Sequence, residues 1–303
     1  MEITKTDSIV IPVPELTRFS KVSDYFCLIK PEVTFLVLIA TGLGSFMAAE
    51  SLNLWVLFHT LLGTALVAGG TATLNHYMER SHDGKMRRTA SRPLPSGRLT
   101  PEEVFRFGVI LSFAGVVYLA LLINILTSLI GLATLLSYLF VYTPLNRRTT
   151  LCTLIGAFPG AAPALMGWAA VRNNLGIEAW ALYAILFIWQ FPHFLSIAWM
   201  YREDYARAGM LMLPACDPKG NAAFRQILGY SLALIPVSLL PVFLGMTGNI
   251  YLLLALVSGL GFFYFAYQAS LHRSKHQAKV LLHATVIYLP IVYLVMVLDK
   301  VGM

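Results

Sequence analysis

The chain has 303 residues, of which 57% are hydrophobic and only 12% charged, and it carries a formal net charge of +7. An ordinary soluble domain of this length rarely combines so much apolar surface with so little charge. The excess of base therefore needs a reading other than a nucleic-acid interface, and its placement supplies one.

Residues 1–32 read as a cytoplasmic tail. Glu2, Asp7, Glu15 and Asp24 interrupt its basic residues, and the first long apolar run begins only after Lys30-Pro31. That pattern fits neither a cleaved secretory signal nor an Arg-rich mitochondrial address, so a bacterial cytoplasmic membrane is the expected home. Nine apolar runs follow, near residues 33–50, 54–74, 103–123, 125–143, 151–171, 178–199, 226–246, 250–270 and 280–298. Each is long enough to cross a bilayer. They predict an all-α, polytopic membrane protein, a bundle of nine transmembrane helices forming one intramembrane domain over 33–303. Cys27, Cys152 and Cys216 make no Cys-x-x-Cys pair and are expected to be reduced and structural.

With a cytoplasmic N-terminus, nine spans place the tail and the loops after spans two, four, six and eight inside. Of the 22 Lys and Arg, all but Arg106, Arg172 and Lys300 fall in those segments. This is the asymmetry expected of inner loops. The net charge then reflects topology and contact with the anionic lipid bilayer, with no nucleic-acid partner.

The loop after span two carries the densest chemistry. Asn75, Glu79 and Asp83 recur every four residues, so a helix through them puts three oxygen ligands on one face. Two carboxylates one turn apart repel each other unless something positive sits between them. Lys85, Arg87, Arg88 and Arg92 follow at once. Carboxylates beside guanidinium groups suit a diphosphate bridged by Mg²⁺, a metal that takes oxygen ligands while arginines take the remaining phosphate oxygens. The bland alternatives are a solvated helix end and arginines that anchor to lipid, as is expected of Arg98.

Span six holds Trp189-Gln190-Phe191-Pro192-His193-Phe194 and leads into Tyr201-Arg202-Glu203-Asp204-Tyr205. An ionisable side chain inside a span is functional by default, so His193 is a candidate substrate contact, with Gln190 beside it. Tyr201, Glu203 and Asp204 stand where the inner loop begins. The long loops after spans two and six are expected to face each other across a cytoplasmic mouth.

These motifs carry a family resemblance. Leu-Asn75-His-Tyr-Met-Glu79-Arg-(x)2-Asp83, Met86-x-Arg88-Thr89-(x)2-Arg92-Pro93-Leu94, Tyr142-Thr143-Pro144-Leu145, Trp189-Gln190-x-Pro192-His193-Phe194 and Asp204-Tyr205-(x)2-Ala208-Gly209 occur in this order. With Lys30-Pro31 ahead of them, the set resembles the intramembrane aromatic prenyltransferases over about residues 26–296, and within them the haem-specific branch. The resemblance implies transfer of the farnesyl group of farnesyl diphosphate to a vinyl group of haem B, with Mg²⁺ on Asn75, Glu79 and Asp83. Arg88 and Arg92 would then stabilise the leaving diphosphate, with Lys85 and Arg87 near it, and His193 would ligate haem iron or orient water. The wider family carries two aspartates where this chain has Tyr201 and Tyr205, which weakens any second metal site. Another aromatic acceptor, or a haem or lipid transporter without catalysis, is the alternative. A partner such as haem A synthase or a terminal oxidase assembly stays open.

Overall fold

The computed structural model describes residues 18–302, so most of the expected tail, residues 1–17, lies outside the described residues. A helix over Arg18–Leu28 runs up to the first span. Nine helices are long and apolar enough to cross a membrane among the described residues: Pro31–Ala48, Leu54–Asp83, Pro101–Leu122, Ile125–Leu145, Cys152–Arg172, Ile177–Met200, Asn221–Phe243, Asn249–His272 and Lys275–Leu298. They correspond one for one to the nine apolar runs. Their exposed side chains are large and apolar, among them Phe35, Ile110, Phe113, Leu121, Leu253 and Leu294. That is the surface a lipid phase requires, since lipid tails give no reason to hide it. The protein is a multi-pass membrane protein.

Span two is the element that positions the acidic face. Its 30 residues extend about 45 Å at 1.5 Å per residue, whereas a hydrocarbon core is about 30 Å thick. The surplus lies at the C-terminal end, where Asn75, Glu79 and Asp83 sit. The helix continues as a helix past its apolar part and carries three polar side chains along one face towards the interface. Small residues let it lie close to span three: a Cβ on Gly70 would meet the Ser112 backbone nitrogen at 2.6 Å. Span four changes pitch over Ser137–Tyr142, which form a π-helical stretch just before Thr143 and Asn146. Such widened turns re-aim the side chains beyond them.

Spans five and six are the most buried of the nine. Span five crosses span one at van der Waals distance of the backbones. Ser45 Oγ donates to the Gly167 carbonyl at 3.0 Å, and a Cβ on Gly167 would run into the Thr41 carbonyl and lie 2.8 Å from the Ser45 nitrogen. Both opposing atoms are backbone and cannot swing aside. Close approach of small residues is the main source of cohesion between helices in lipid. Gly167→Val should therefore lower the thermal unfolding midpoint in detergent, with an overpacking cost of at least about 1–3 kcal/mol. A midpoint equal to the parent protein's would contradict this crossing.

Candidate active site

Asn75, Glu79 and Asp83 are 2%, 8% and 1% exposed. Burying two carboxylates on one helix face is unfavourable unless cations and hydrogen bonds compensate. The structure supplies them from three other segments. Arg92, in the loop after span two, donates through one terminal nitrogen to both Asp83 oxygens at 2.9 Å. Asn146, just beyond span four, donates its amide to Glu79 Oε1 at 2.6 Å. Lys30, immediately before span one, donates Nζ to Asn75 Oδ1 at 2.9 Å, and the Asn75 amide donates to Thr143 Oγ1 at 3.2 Å. Burial lowers the Lys30 ammonium from its ordinary 10.5 to about 8; Arg92 adds to the fall, and Glu79 and Asp83 oppose it.

The arginine-bearing loop is a folded unit. Thr89 Oγ1 bonds the Asp83 carbonyl at 2.8 Å, and Leu94 and Leu99 pack with Leu28 and Val104. Arg98, expected at the lipid surface, instead pairs with Asp24 on the first helix at 2.9 Å. It also donates to Ser96 Oγ and the Ser91 carbonyl. The loop after span six meets this one. Met86 is buried with Cys152, Ala198, Ala208, Met210 and Met212, and the Leu211 nitrogen donates to the Asn146 carbonyl at 2.9 Å. The loops after spans two, four and six thus close over the acidic face together.

The remaining candidates separate into groups. Arg88 lies over the rings of Tyr201 and Tyr205, 5.3 and 6.0 Å from their centroids, and reaches the Tyr205 hydroxyl at 3.5 Å. Burial holds that phenol above its ordinary range against the pull of Arg88. Lys85 and Arg87 are exposed at the same mouth. Asp204 is half-buried and paired with Arg207 at 3.0 Å, while Glu203 points to solvent. Gln190 spends its amide nitrogen on the carbonyls of Ala157 and Leu186, at 3.2 and 3.1 Å.

His193 stacks on Trp189, with ring centroids 4.7 Å apart and planes 22° apart, and its Nδ1 is 2.8 Å from Thr285 Oγ1 on span nine. The same hydroxyl donates to the Leu282 carbonyl at 2.6 Å. A hydroxyl has one proton, so Thr285 accepts from His193 Nδ1–H and Nε2 keeps its lone pair. That nitrogen makes no hydrogen bond among the described residues. The three cysteines are free thiols.

The acidic face suits a divalent metal on chemical grounds. Asn75, Glu79 and Asp83 offer hard oxygens of the kind Mg²⁺ takes, and two side-chain cations already draw on them. Asn146, whose amide nitrogen bonds Glu79, has its Oδ1 buried without a hydrogen-bond partner. Among the described residues no three His, Cys, Asp or Glu cluster as ligands, so an amide oxygen would have to complete any such set. Lys30, Thr143 and Asn146 were not foreseen as site residues. Their only sequence signal was their place in or beside the strings Lys30-Pro31 and Tyr142-Thr143-Pro144-Leu145.

A membrane bundle with a buried acidic face, flanked by arginines at one mouth, has the charges that a diphosphate-handling transferase needs. The family model described as the UbiA prenyltransferase family matches residues 36–288, and the chain belongs to that family. It is 50% identical over 290 residues to a protoheme IX farnesyltransferase of Solibacter usitatus, covering 92% of this chain and 99% of that protein. It is 44% identical over 306 residues to a protein of the same name from Koribacter versatilis, covering 97% and 98%. Among solved structures, a digeranylgeranylglyceryl phosphate synthase superposes with a TM-score of 0.76 at 20% identity, over 92% of this chain and 98% of that one. A UbiA homolog from Archaeoglobus fulgidus bound to DMAPP and Mg²⁺ gives 0.66 at 16%, over 90% and 99%. These two share the fold.

Removing Arg92 should leave Asp83 buried without its guanidinium, with the His76 Nδ1 3.8 Å away and outside hydrogen-bond distance. Arg92→Leu is expected to destabilise the protein towards the low end of about 3–5 kcal/mol, because the Arg92 side chain is 22% exposed. Adding Asp83→Asn in the same chain should recover most of the loss, as chemical denaturation in detergent would report. Equal stability of Arg92→Leu and the parent would mean the pair is idle.

Proposed function

We propose that this prenyltransferase moves the farnesyl group of farnesyl diphosphate onto a vinyl group of haem B, with addition of water, giving haem O and diphosphate. The observation that carries the acceptor is the 50% and 44% identity, over nearly the whole chain, to proteins named protoheme IX farnesyltransferase. The buried acidic face with its arginines supports the donor end. No observation favours another aromatic acceptor or a transporter.

Asn75, Glu79 and Asp83 would hold Mg²⁺, which supplies charge neutralisation to the diphosphate. Arg92 commits one terminal nitrogen to Asp83 and keeps its remaining N–H groups for phosphate oxygens. Arg88, perched on Tyr201 and Tyr205, offers a second guanidinium from the mouth, with Lys85 and Arg87 further out. As the allylic C–O bond breaks, its electron pair leaves with the diphosphate, where these cations stabilise it. The vinyl π electrons bond the farnesyl C1, and positive charge moves to the carbon beside the porphyrin. Water adds there and loses a proton. His193 presents the Nε2 lone pair, which serves either as an iron ligand or as the group that orients this water. Apolar span faces keep other water from the cation. The site mouth and the N-terminus face the cytoplasm, and the membrane is the bacterial inner membrane.

Two outcomes test this reading. Glu79→Ala or Asp83→Ala should cut haem O formation at least about a hundredfold, with membrane insertion unchanged, and chelation should stop the parent enzyme until Mg²⁺ is restored. Mass detection of haem O from haem B and farnesyl diphosphate measures both; turnover in excess chelator would remove the metal. His193→Ala should weaken haem binding in an absorbance titration while farnesyl diphosphate affinity stays near that of the parent, because the two sites share no partner. Equal loss of both ligands would reduce His193 to a folding role.

A further inference from the structure

Lys30 takes no part in the reaction as drawn above, yet it reaches the centre of the acidic face. It stands at the join between the first helix and span one, with φ 47° and ψ 68°. A left-handed backbone is uncommon for a residue with a side chain, and Pro31 follows directly, which narrows the allowed conformations further. Strain of this kind persists where the surroundings over-determine it. Here the visible constraint is the side chain, which runs inward and places Nζ 2.9 Å from Asn75 Oδ1. Lys21, on the helix before it, behaves as an ordinary surface lysine and pairs with Glu103 at 3.4 Å. Lys30 instead donates to a neutral amide oxygen beside two carboxylates, and that oxygen is one of the three that suit the metal.

We infer that Lys30 is a resident cation of the acidic face: it holds Asn75 before substrate arrives, gives up that oxygen to the divalent ion, and then takes a diphosphate oxygen. The inference rests on the metal–diphosphate reading above. Its physical basis is that two cations compete for one oxygen. A divalent ion and an ammonium drawing on the same amide oxygen would repel strongly in a site shielded from water. The diphosphate reverses the sign, because it brings more negative charge than the ion brings positive. A four-carbon stem lets the ammonium follow that charge. Lys30 therefore opposes the ion alone and favours the ion together with diphosphate, which couples the two binding steps. It is a positioning residue for the acidic face at rest and a substrate contact once the site is filled.

The test is binding, with Mn²⁺ as a paramagnetic probe on the purified full-length protein in detergent and no haem present. Lys30→Met should bind Mn²⁺ alone about tenfold more tightly than the parent, and bind farnesyl diphosphate about tenfold more weakly at saturating Mn²⁺. Lys30→Arg should keep the parent's values for both, since it keeps the charge. The opposite signs are the signature. Weakening of both ligands would make Lys30 a structural strut, and weaker farnesyl diphosphate with unchanged Mn²⁺ would make it a plain phosphate ligand; either result overturns the inference. Should Lys30→Met fail to fold, Lys30→Gln makes the same comparison with a polar side chain. If the parent binds no Mn²⁺ even with farnesyl diphosphate, the metal reading fails and the inference falls with it.

Discussion

Two carboxylates one turn apart, buried at the end of a membrane helix, set the terms for the rest of this molecule. Glu79 and Asp83 are 8% and 1% exposed, and burying two carboxylates side by side is unfavourable without compensating cations and hydrogen bonds. Compensation has to come from elsewhere in the chain, and it comes from both sides. Lys30 enters from before span one, Arg92 from the loop that follows span two, and Asn146 from beyond span four. The strain at Lys30, the π-helical stretch ahead of Thr143 and the Asp24–Arg98 pin all serve the aiming of these groups. A loop that merely floated on the lipid surface could not hold Arg92 on Asp83.

Much of this was legible in the sequence, for a physical reason. Membrane spans announce themselves through length and composition, because the bilayer demands both, and a four-residue spacing fixes a shared helix face without reference to anything distant. The meeting of the loops after spans two and six followed from their common side of the membrane. What sequence could not supply were partners separated by long stretches of chain. Lys30 lies 45 residues from Asn75, and Asn146 lies 67 from Glu79. Both stood in or beside strings valued only as family markers, and no local periodicity links them to the acidic face.

Gln190 marks the other boundary of sequence reasoning. A polar side chain in a span invites a functional role, and here its amide nitrogen is held by two backbone carbonyls, one of them on span five. Gly160 has no side chain because that glutamine fills the space a Cβ would need. The pair locks spans five and six together, a packing role that sequence alone does not reveal. Its neighbour three residues on shows the opposite behaviour. His193 is fixed at one nitrogen and open at the other.

That difference explains how the chain distributes charge. The carboxylates stand at the end of a helix that outruns the hydrocarbon, where cations from neighbouring segments can reach them. His193 lies seven residues inside the end of span six, about 10 Å along the helix, and among the described residues no cation or carboxylate bonds it. A neutral imidazole suits such a place because it offers an electron pair without the desolvation penalty of a fixed charge. The tautomer is set from outside by Thr285, whose own proton is committed to the Leu282 carbonyl. Burial thus allows charged groups at the interface and a neutral lone pair deeper in the bundle, a division that suits the proposed reaction, with its highly charged leaving group and largely apolar acceptor.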